Sequence, residues 1–272
     1  MKTISLLGSG WLGLALAKYF RLKNFQVKAS TRSAHRISEL QALGVQPYLI
    51  DIDLIDITDL SQDVQGFLDS DILIINITSK NMTGYAEFIR SIKASSIEKL
   101  LFVSSSSVYQ NSNQLVLESE GMEDTNSTLY KIEKLFQNSA HFHTTVVRMA
   151  GLIGPGRHPG GFFKGDKPVQ QPDAPVNLIH QADCVNIIGQ IVEQDVWGEV
   201  FNASADTHPT KREFYSQAKK SLGQQPPRFA EPESLSYKVV GNQKVKRVLN
   251  YELVHADLMA LVTQSEGAAF DL

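Results

Sequence analysis

Two stretches of the chain bring together residue types that could do chemistry. The first is Gly8-Ser9-Gly10-Trp11-Leu12-Gly13, which fits the pattern G-x-G-x-x-G. It follows an apolar run, Thr3 to Leu7, and opens a helix-like segment, Trp11 to Leu22. That is the context in which the pattern binds dinucleotides. Gly8 permits a tight turn, Gly10 lets the backbone approach a pyrophosphate, and Gly13 lets helix and strand pack closely. The phosphates would rest on the backbone N–H groups that Ser9, Trp11, Leu12 and their neighbours offer at the helix N-terminus. The plain alternative is a tight turn that holds no ligand. The second stretch is the serine run Ser104 to Ser107 with Tyr109, followed downstream by Tyr130 and Lys134, four residues apart.

The next strand selects the nucleotide. NAD sites place Asp or Glu about 20 residues after the glycines, to hold the ribose 2′-OH. Here that strand ends Ala29-Ser30-Thr31-Arg32. It offers the Thr31 hydroxyl and the Arg32 guanidinium and no carboxylate. A planar guanidinium can hold a 2′-phosphate through two parallel hydrogen bonds. NADP is therefore preferred to NAD as the cofactor. The alternative for Arg32 is a solvated surface charge.

The elements that must position these residues follow from the hydrophobic pattern. Phe25 to Ser30, Val45 to Ile50, Asp71 to Ile77, Lys99 to Ser104 and His143 to Met149 are short apolar runs. Near-continuous runs such as DILIINI suit strands buried on both faces of a parallel sheet. Helical patterns separate them, for instance Ser33 to Leu43, with Ser33 as N-cap and Gly44 as the stop. The fold class is α/β, with βαβ units and a parallel sheet. The expected domains are 1–155 and 156–272, with a segment near 198–203 returning to the sheet. Gly151 to Pro175 and Pro226 to Pro232 read as loops. Asn177 to Gln194 gives a strand end and a helix. Arg212 to Leu222 and His255 to Val262 read as helices, and the tail GAAFDL as frayed.

Composition sets the outer bounds. The chain has 272 residues, 26 Lys and Arg against 29 Asp and Glu, and a formal charge of −3. That balance argues against a nucleic-acid partner bound through a basic footprint. The single Cys184 excludes a disulfide framework and a Cys-based zinc site within one chain, and the histidines have no metal-site spacing, so no metal is expected. No apolar run reaches the ~20 residues of a membrane span, and no signal-peptide cleavage site is present. The expectation is a cytoplasmic protein with a small-molecule substrate.

Several segments together resemble the extended short-chain dehydrogenase/reductase family, the NAD(P)-dependent sugar-nucleotide epimerases and dehydratases, in an atypical branch with GSGWLG-like starts. Ser104-Ser105-Ser106-Ser107-Val108-Tyr109 is similar to its SSxxVYG segment. Arg148 with Gly151-Leu152-Ile153-Gly154-Pro155-Gly156-Arg157 is similar to its R…GxxGPGR segment. Asn177-Leu178-Ile179-His180-Gln181-Ala182-Asp183 matches IHVxD, and Phe201-Asn202-Ala203 matches the later F-N strand. The glycine spacing departs from the usual G-x-x-G-x-x-G. The resemblance implies that Asp51 contacts the adenine and that Thr78 and Ser79 line the cofactor. It implies that Ser105 polarises the substrate oxygen and that a Tyr-x-x-x-Lys pair moves the proton, the Lys lowering the Tyr pKa from about 10. A Rossmann doubly wound parallel sheet with a small C-terminal substrate domain, and a homodimer through helices beside the sheet, are also implied.

Tyr130 and Lys134 supply a literal Tyr-x-x-x-Lys. At about 100° per residue, Lys134 falls roughly 40° from Tyr130, while Leu129, Ile132, Leu135 and Phe136 fall roughly 260°, 200°, 140° and 240° away. The apolar stripe is thus almost opposite the pair. Sliding the register so that Glu133-Lys134-Leu135-Phe136 meets the family's Glu-x-apolar-apolar segment puts the Tyr position on Thr125 and the Lys position on Leu129, and the dyad is lost. Both registers stand at this point. With the dyad, the chain is an NAD(P)-dependent oxidoreductase or epimerase/dehydratase-like enzyme for a small polar substrate, free or linked to a nucleotide or sugar. Without it, the alternative is an NADP-binding regulator or redox sensor that does not turn over. For Ser105 the plain alternative is a hydroxyl satisfying nearby backbone. For Tyr109 it is packing, for Asp51 a turn cap, for His180 a structural hydrogen bond, and for Arg157 a solvated charge.

Overall fold

The computed structural model describes residues 1–54, 62–163, 165, 167–231, 234–264 and 270. Strands and helices alternate through the first part of the chain: β1 (Thr3–Leu7), α1 (Trp11–Leu22), β2 (Gln26–Thr31), α2 (Ile37–Ala42), β3 (Gln46–Leu49), α3 (Gln62–Leu68), β4 (Ile72–Ile75), α4 (Met82–Lys93) and β5 (Lys99–Ser105). After them come β6 (Leu115–Val116), α5 (Thr128–Gln137), β7 (His143–Met149), β8 (Gly151–Ile153), β9 (Leu178–His180), α6 (Gln181–Glu193), β10 (Val200–Ala203), α7 (Lys211–Lys220), β11 (Val239–Val240), α8 (Gln243–Leu249) and α9 (Leu258–Gln264).

Seven strands form one parallel sheet in the order β10-β7-β5-β4-β1-β2-β3. The order reverses at β1, the switch point at which open α/β sheets bind their ligands. β1 pairs with β2 through Ile4↔Val27 and Leu6↔Ala29, and with β4 through Ile4↔Ile72 and Leu7↔Ile75. Every residue of β4 is buried, which is why its sequence, ILII, does not alternate. The parallel α/β sheet expected from the apolar runs, and the Rossmann architecture that the family resemblance implies, are those observed.

The chain divides into two compact units. The first comprises Met1–Ser104, Thr125–Val147 and Ile188–Val200. Its core holds Phe67, Tyr85, Phe88, Phe102, Ile132 and Phe136, with Phe102 and Phe136 stacked at 5.2 Å between ring centroids. In the same unit Gly189 of α6 leaves room for the Tyr19 ring of α1, whose hydroxyl donates to Glu193 at 2.6 Å. The second unit comprises Ser105–Asp124, Arg148–Ile187 and Phe201–Leu272. It holds the two-stranded pairs β6–β11 and β8–β9 and a core of Ile153, Val176, Leu178, Phe214, Leu258 and Val262.

Several local expectations need correction: the stretch read as a loop from Gly151 opens with a strand, β8, and the last helix begins at Leu258, not at His255. Ser33 to Leu43 is not one helix: a 3-10 turn, Ala34–Arg36, precedes α2. Ser33 does not cap it, because its hydroxyl bonds the His35 ring at 2.6 Å instead. Gly44 does end α2, at φ +70°, a backbone region that costs glycine nothing. Lys211 opens α7, one residue earlier than expected, because Thr210 and Glu213 form a reciprocal capping box. Residues 164 and 166 of the expected loop system, 232 of the later loop, and 267–269, 271 and 272 of the tail lie outside the described residues.

Candidate functional site

The glycine-rich turn lies in the first unit, between β1 and α1. Gly8 sits at φ +99°, and a Cβ there would stand 2.4 Å from the Asn76 carbonyl oxygen. A Cβ on Gly13 would stand 2.0 Å from the Gly8 carbonyl oxygen. Only glycine fits either place. Gly10 differs, because a Cβ there would meet nothing within 4 Å. Its surface is open, as close approach by a ligand requires. β2 holds the turn in place: the Gly8 N–H donates to the Ser30 hydroxyl at 2.8 Å, and the Ser9 N–H to the Ser30 carbonyl at 3.1 Å. Asn76, just past β4, donates to the Gly8 carbonyl at 3.2 Å.

This cradle fits a dinucleotide pyrophosphate on three counts. No side chain caps α1 and its first turn carries no acid, so the positive end of the helix is uncompensated. Gly10 is open. The Ser9 hydroxyl is buried and has no hydrogen-bond partner among the described residues, which leaves a donor beside the turn for a phosphate oxygen. Leu12 is buried beneath the turn.

Beyond β2, Arg32 is exposed, and its guanidinium makes no hydrogen bond or ion pair among the described residues. Thr31 is buried and accepts the Ser33 N–H at 3.2 Å. A second guanidinium, which the sequence analysis did not single out, lies at the turn itself: Arg36 donates to the Ser9 carbonyl at 2.9 Å and pairs with Glu39 at 3.0 Å.

The other expected cofactor residues are held by local partners. Asp51 accepts the Asp53 N–H at 3.0 Å, an Asx turn. Ser79 donates to Asp53 at 2.6 Å and accepts the Asn81 N–H at 3.0 Å. Thr78 is exposed.

Helix α5 presents Ile132, Glu133 and Phe136 to the core, with Leu129 and Leu135 packed against it. Glu133 is fully buried and accepts the Ser104 hydroxyl at 2.5 Å. Tyr130 and Lys134 lie off this face. Tyr130 is half-buried, Lys134 is exposed, and the Lys134 ammonium stands 5.1 Å from the Tyr130 ring centroid, a cation–π contact. Thr125 is exposed and precedes the helix.

In the second unit, the Ser105 hydroxyl accepts the Ser107 N–H at 3.1 Å. Tyr109 belongs to a buried network. Its hydroxyl accepts from Arg148 at 2.7 Å and donates to Asn202 at 2.8 Å, and Arg148 pairs with Glu123 at 2.5 Å. Burial pushes the Tyr109 hydroxyl up to about 12, against the pull of Arg148. It stays neutral at pH 7 and serves as a structural crosslink. Asn177 donates to the Lys238 carbonyl and accepts the Val240 N–H, both at 2.8 Å. His180 accepts the Ala182 N–H at 3.2 Å, and its ring packs tilted against that of His255, with centroids 3.9 Å apart. Arg157 is exposed. Asp183, fully buried, accepts Tyr251 Oη at 2.6 Å and the N–H groups of Val254 and His255 at 2.7 and 3.0 Å. The sequence motif around Asp183 thus ties α6 to the segment before α9. Among the described residues no cluster could hold a metal ion, and no helix is long and apolar enough to cross a membrane.

Comparison with known proteins agrees with this geometry. A family model described as NAD(P)H-binding matches residues 8–183. Protein YeeZ of Escherichia coli strain K12 is 29% identical over 96% of this chain and 99% of its own. Among solved structures, a functionally unknown conserved protein from Silicibacter pomeroyi superposes with a TM-score of 0.80 at 18% identity, covering 96% of this chain and 97% of that one. UDP-glucuronic acid 4-epimerase from Bacillus cereus, in complex with NAD, superposes with a TM-score of 0.75 at 17% identity, covering 97% and 94%. The chain belongs to the NAD(P)H-binding family and carries the fold of the NAD-dependent epimerases and dehydratases that its motifs resemble.

Proposed function

We propose that this protein binds NADP in preference to NAD on the turn of residues 8–13, and that it is an oxidoreductase of the epimerase/dehydratase type acting on a small polar substrate. The observation that carries the NADP assignment is the pair of guanidinium groups beyond β2. Arg36 is anchored on the Ser9 carbonyl, and Arg32 is exposed with no partner among the described residues. No carboxylate ends β2 to meet a ribose 2′-OH. A 2′-phosphate would supply the anion that Arg32 lacks, beside Arg36, which already pairs with Glu39, while the Ser9 hydroxyl and the first turn of α1 would hold the pyrophosphate.

The nicotinamide of the bound cofactor supplies or accepts the hydride. The chain's own part is to orient the substrate oxygen and provide its proton. Ser105 is the residue proposed for this. Its Oγ accepts the Ser107 N–H, so its own O–H remains a donor. Tyr130 and Lys134 are proposed not to take part, because the pair lies off the buried face of α5. The same observation favours a second reading, an NADP-binding regulator or redox sensor that keeps the cofactor turn and lacks turnover.

One experiment separates the two readings. Loss of NADPH absorbance is followed with a panel of small aldehydes, ketones and keto acids, for the wild type, Tyr130→Phe and Ser105→Ala. Turnover at ordinary enzyme rates, ~1 s⁻¹ or more, that survives Tyr130→Phe and falls in Ser105→Ala supports the enzyme reading. NADPH binding with no loss of absorbance on any member of the panel, and with no epimerised or dehydrated product from sugar nucleotides by chromatography, supports the regulator, since epimerases and dehydratases consume no net NADPH. Turnover abolished by Tyr130→Phe would restore the Tyr–Lys pair.

A further inference from the structure

The second unit contains a cavity of about 530 Å³, lined by Leu115 of β6, Val239 and Gly241 at β11, Asp206 and His208 after β10, and Asn242, Gln243, Lys246 and Arg247 at α8. This volume lies in the range of sites for small metabolites. None of its residues belongs to the cofactor turn or to the motifs read from the sequence.

The polar groups of the cavity are unequally satisfied. Asp206 is fully engaged: Asn242 donates to Oδ1 at 2.7 Å and Lys246 to Oδ2 at 2.8 Å. Burial would raise its pKa, but the bonds from Lys246 and Asn242 outweigh it and hold the carboxyl below its ordinary value. Asp206 is therefore ionised and already neutralised by Lys246. Arg247, which lines the cavity and is open to solvent, has no hydrogen bond or ion pair among the described residues, so its positive charge is unmatched by any of them.

His208 supplies the second open group. Its Nδ1 lies 3.0 Å from the Val176 carbonyl oxygen, which can only accept, so Nδ1 carries the proton. Nε2 is left as a lone-pair acceptor with no partner among the described residues. Burial lowers the His208 pKa, which keeps the ring neutral at pH 7. The cavity thus offers a cationic planar fork, a neutral acceptor nitrogen and an apolar wall of Leu115 and Val239.

We propose that this cavity binds a small oxyanion that also bears a hydroxyl group. The carboxylate or phosphate would sit on Arg247, the hydroxyl would donate to His208 Nε2, and a short carbon skeleton would lie on Leu115 and Val239. The proposal is independent of cofactor preference and of turnover.

The test is calorimetric titration of the full chain, without cofactor, with 3-hydroxybutyrate, glycerol 3-phosphate and the uncharged 1,3-butanediol. Saturable binding of one or both anions is expected, weakened at least tenfold in Arg247→Gln and several-fold in His208→Phe, and unchanged in the remote variant Lys220→Gln. Tighter binding of glycerol 3-phosphate assigns the oxyanion as phosphate, and tighter binding of 3-hydroxybutyrate assigns it as carboxylate. Circular dichroism of each variant checks that the fold is retained. Absence of saturable binding by both anions, equal binding of the diol, or binding that survives Arg247→Gln would overturn the proposal.

Discussion

The Ser104 hydroxyl, at the end of β5, donates to the Glu133 carboxylate of α5 at 2.5 Å, and both side chains are buried. This bond fixes which face of α5 turns inward. It places Glu133 with Ile132 and Phe136 and leaves Lys134 exposed over the Tyr130 ring. The helix therefore keeps its structural glutamate on the inside while its literal Tyr-x-x-x-Lys pair lies off that face.

Glu133→Ala should consequently be costly. It removes a buried acceptor and leaves the Ser104 hydroxyl facing a void. An unsatisfied buried donor costs about 1–3 kcal/mol, and the lost volume adds to it. Urea unfolding should show that loss with no change in slope. A Glu133→Ala midpoint equal to that of the wild type would contradict the placement of α5.

The two kinds of glycine in the turn should separate under mutation. Gly10→Ala introduces a Cβ into open space at an ordinary φ of −67°. It should leave the melting temperature unchanged while weakening NADPH binding at least tenfold, about 1.4 kcal/mol. Gly13→Ala forces a Cβ to within 2.0 Å of the Gly8 carbonyl oxygen and should lower both. Equal loss of stability in the two variants would mean that Gly10 is packed and not open.

Burial lowers the pKa of both His158 and His208 from 6.5. Each binds fewer protons folded than unfolded, so stability rises with pH across that window. The contribution is complete above the unfolded value of 6.5 and is lost as pH falls through the lower folded values. The urea midpoint should therefore drop as pH is lowered from about 7.5 to about 5.5, and less so in the double variant His158→Gln, His208→Gln. Identical pH profiles for the two proteins would rule out these histidines as the source.

Asp183→Asn tests the anchor in the second unit. The carboxylate accepts three donors, Tyr251 Oη and the N–H groups of Val254 and His255. An amide has only one acceptor oxygen, so at least one of these buried donors loses its partner. A loss of about 2–4 kcal/mol is expected, since hydrogen bonds to charged groups are each worth roughly 1.5–3 kcal/mol. A change below about 0.5 kcal/mol, as for a surface substitution, would show that the anchor is dispensable.

Much of the sheet was legible in the sequence because strands buried on both faces must be apolar throughout. Thr3–Leu7, Trp11–Leu22 and His143–Met149 coincide with β1, α1 and β7 to the residue. The cofactor turn was legible because Gly8 and Gly13 answer steric demands that only glycine meets. Arg36 was missed because its partner is the Ser9 carbonyl, 27 residues away, a contact with no local pattern. The β6–β11 pair was missed because its strands have two residues each and lie far apart in the chain. Local periodicity puts Tyr130 and Lys134 off the apolar stripe of α5 but leaves the register open. What it lacks is the reason, which is the bond from Glu133 to Ser104 on another element.

The turn of residues 8–13, with Arg32 and Arg36, is proposed to hold NADP. Fluorescence titration of the wild type and the Arg32→Ala, Arg36→Ala double variant with NADPH and NADH tests it most directly. NADPH should bind the wild type at least tenfold tighter than NADH, and the double variant should lose this preference while still binding NADH. NADH binding as tight as NADPH in the wild type, or a preference that survives loss of both arginines, would contradict it.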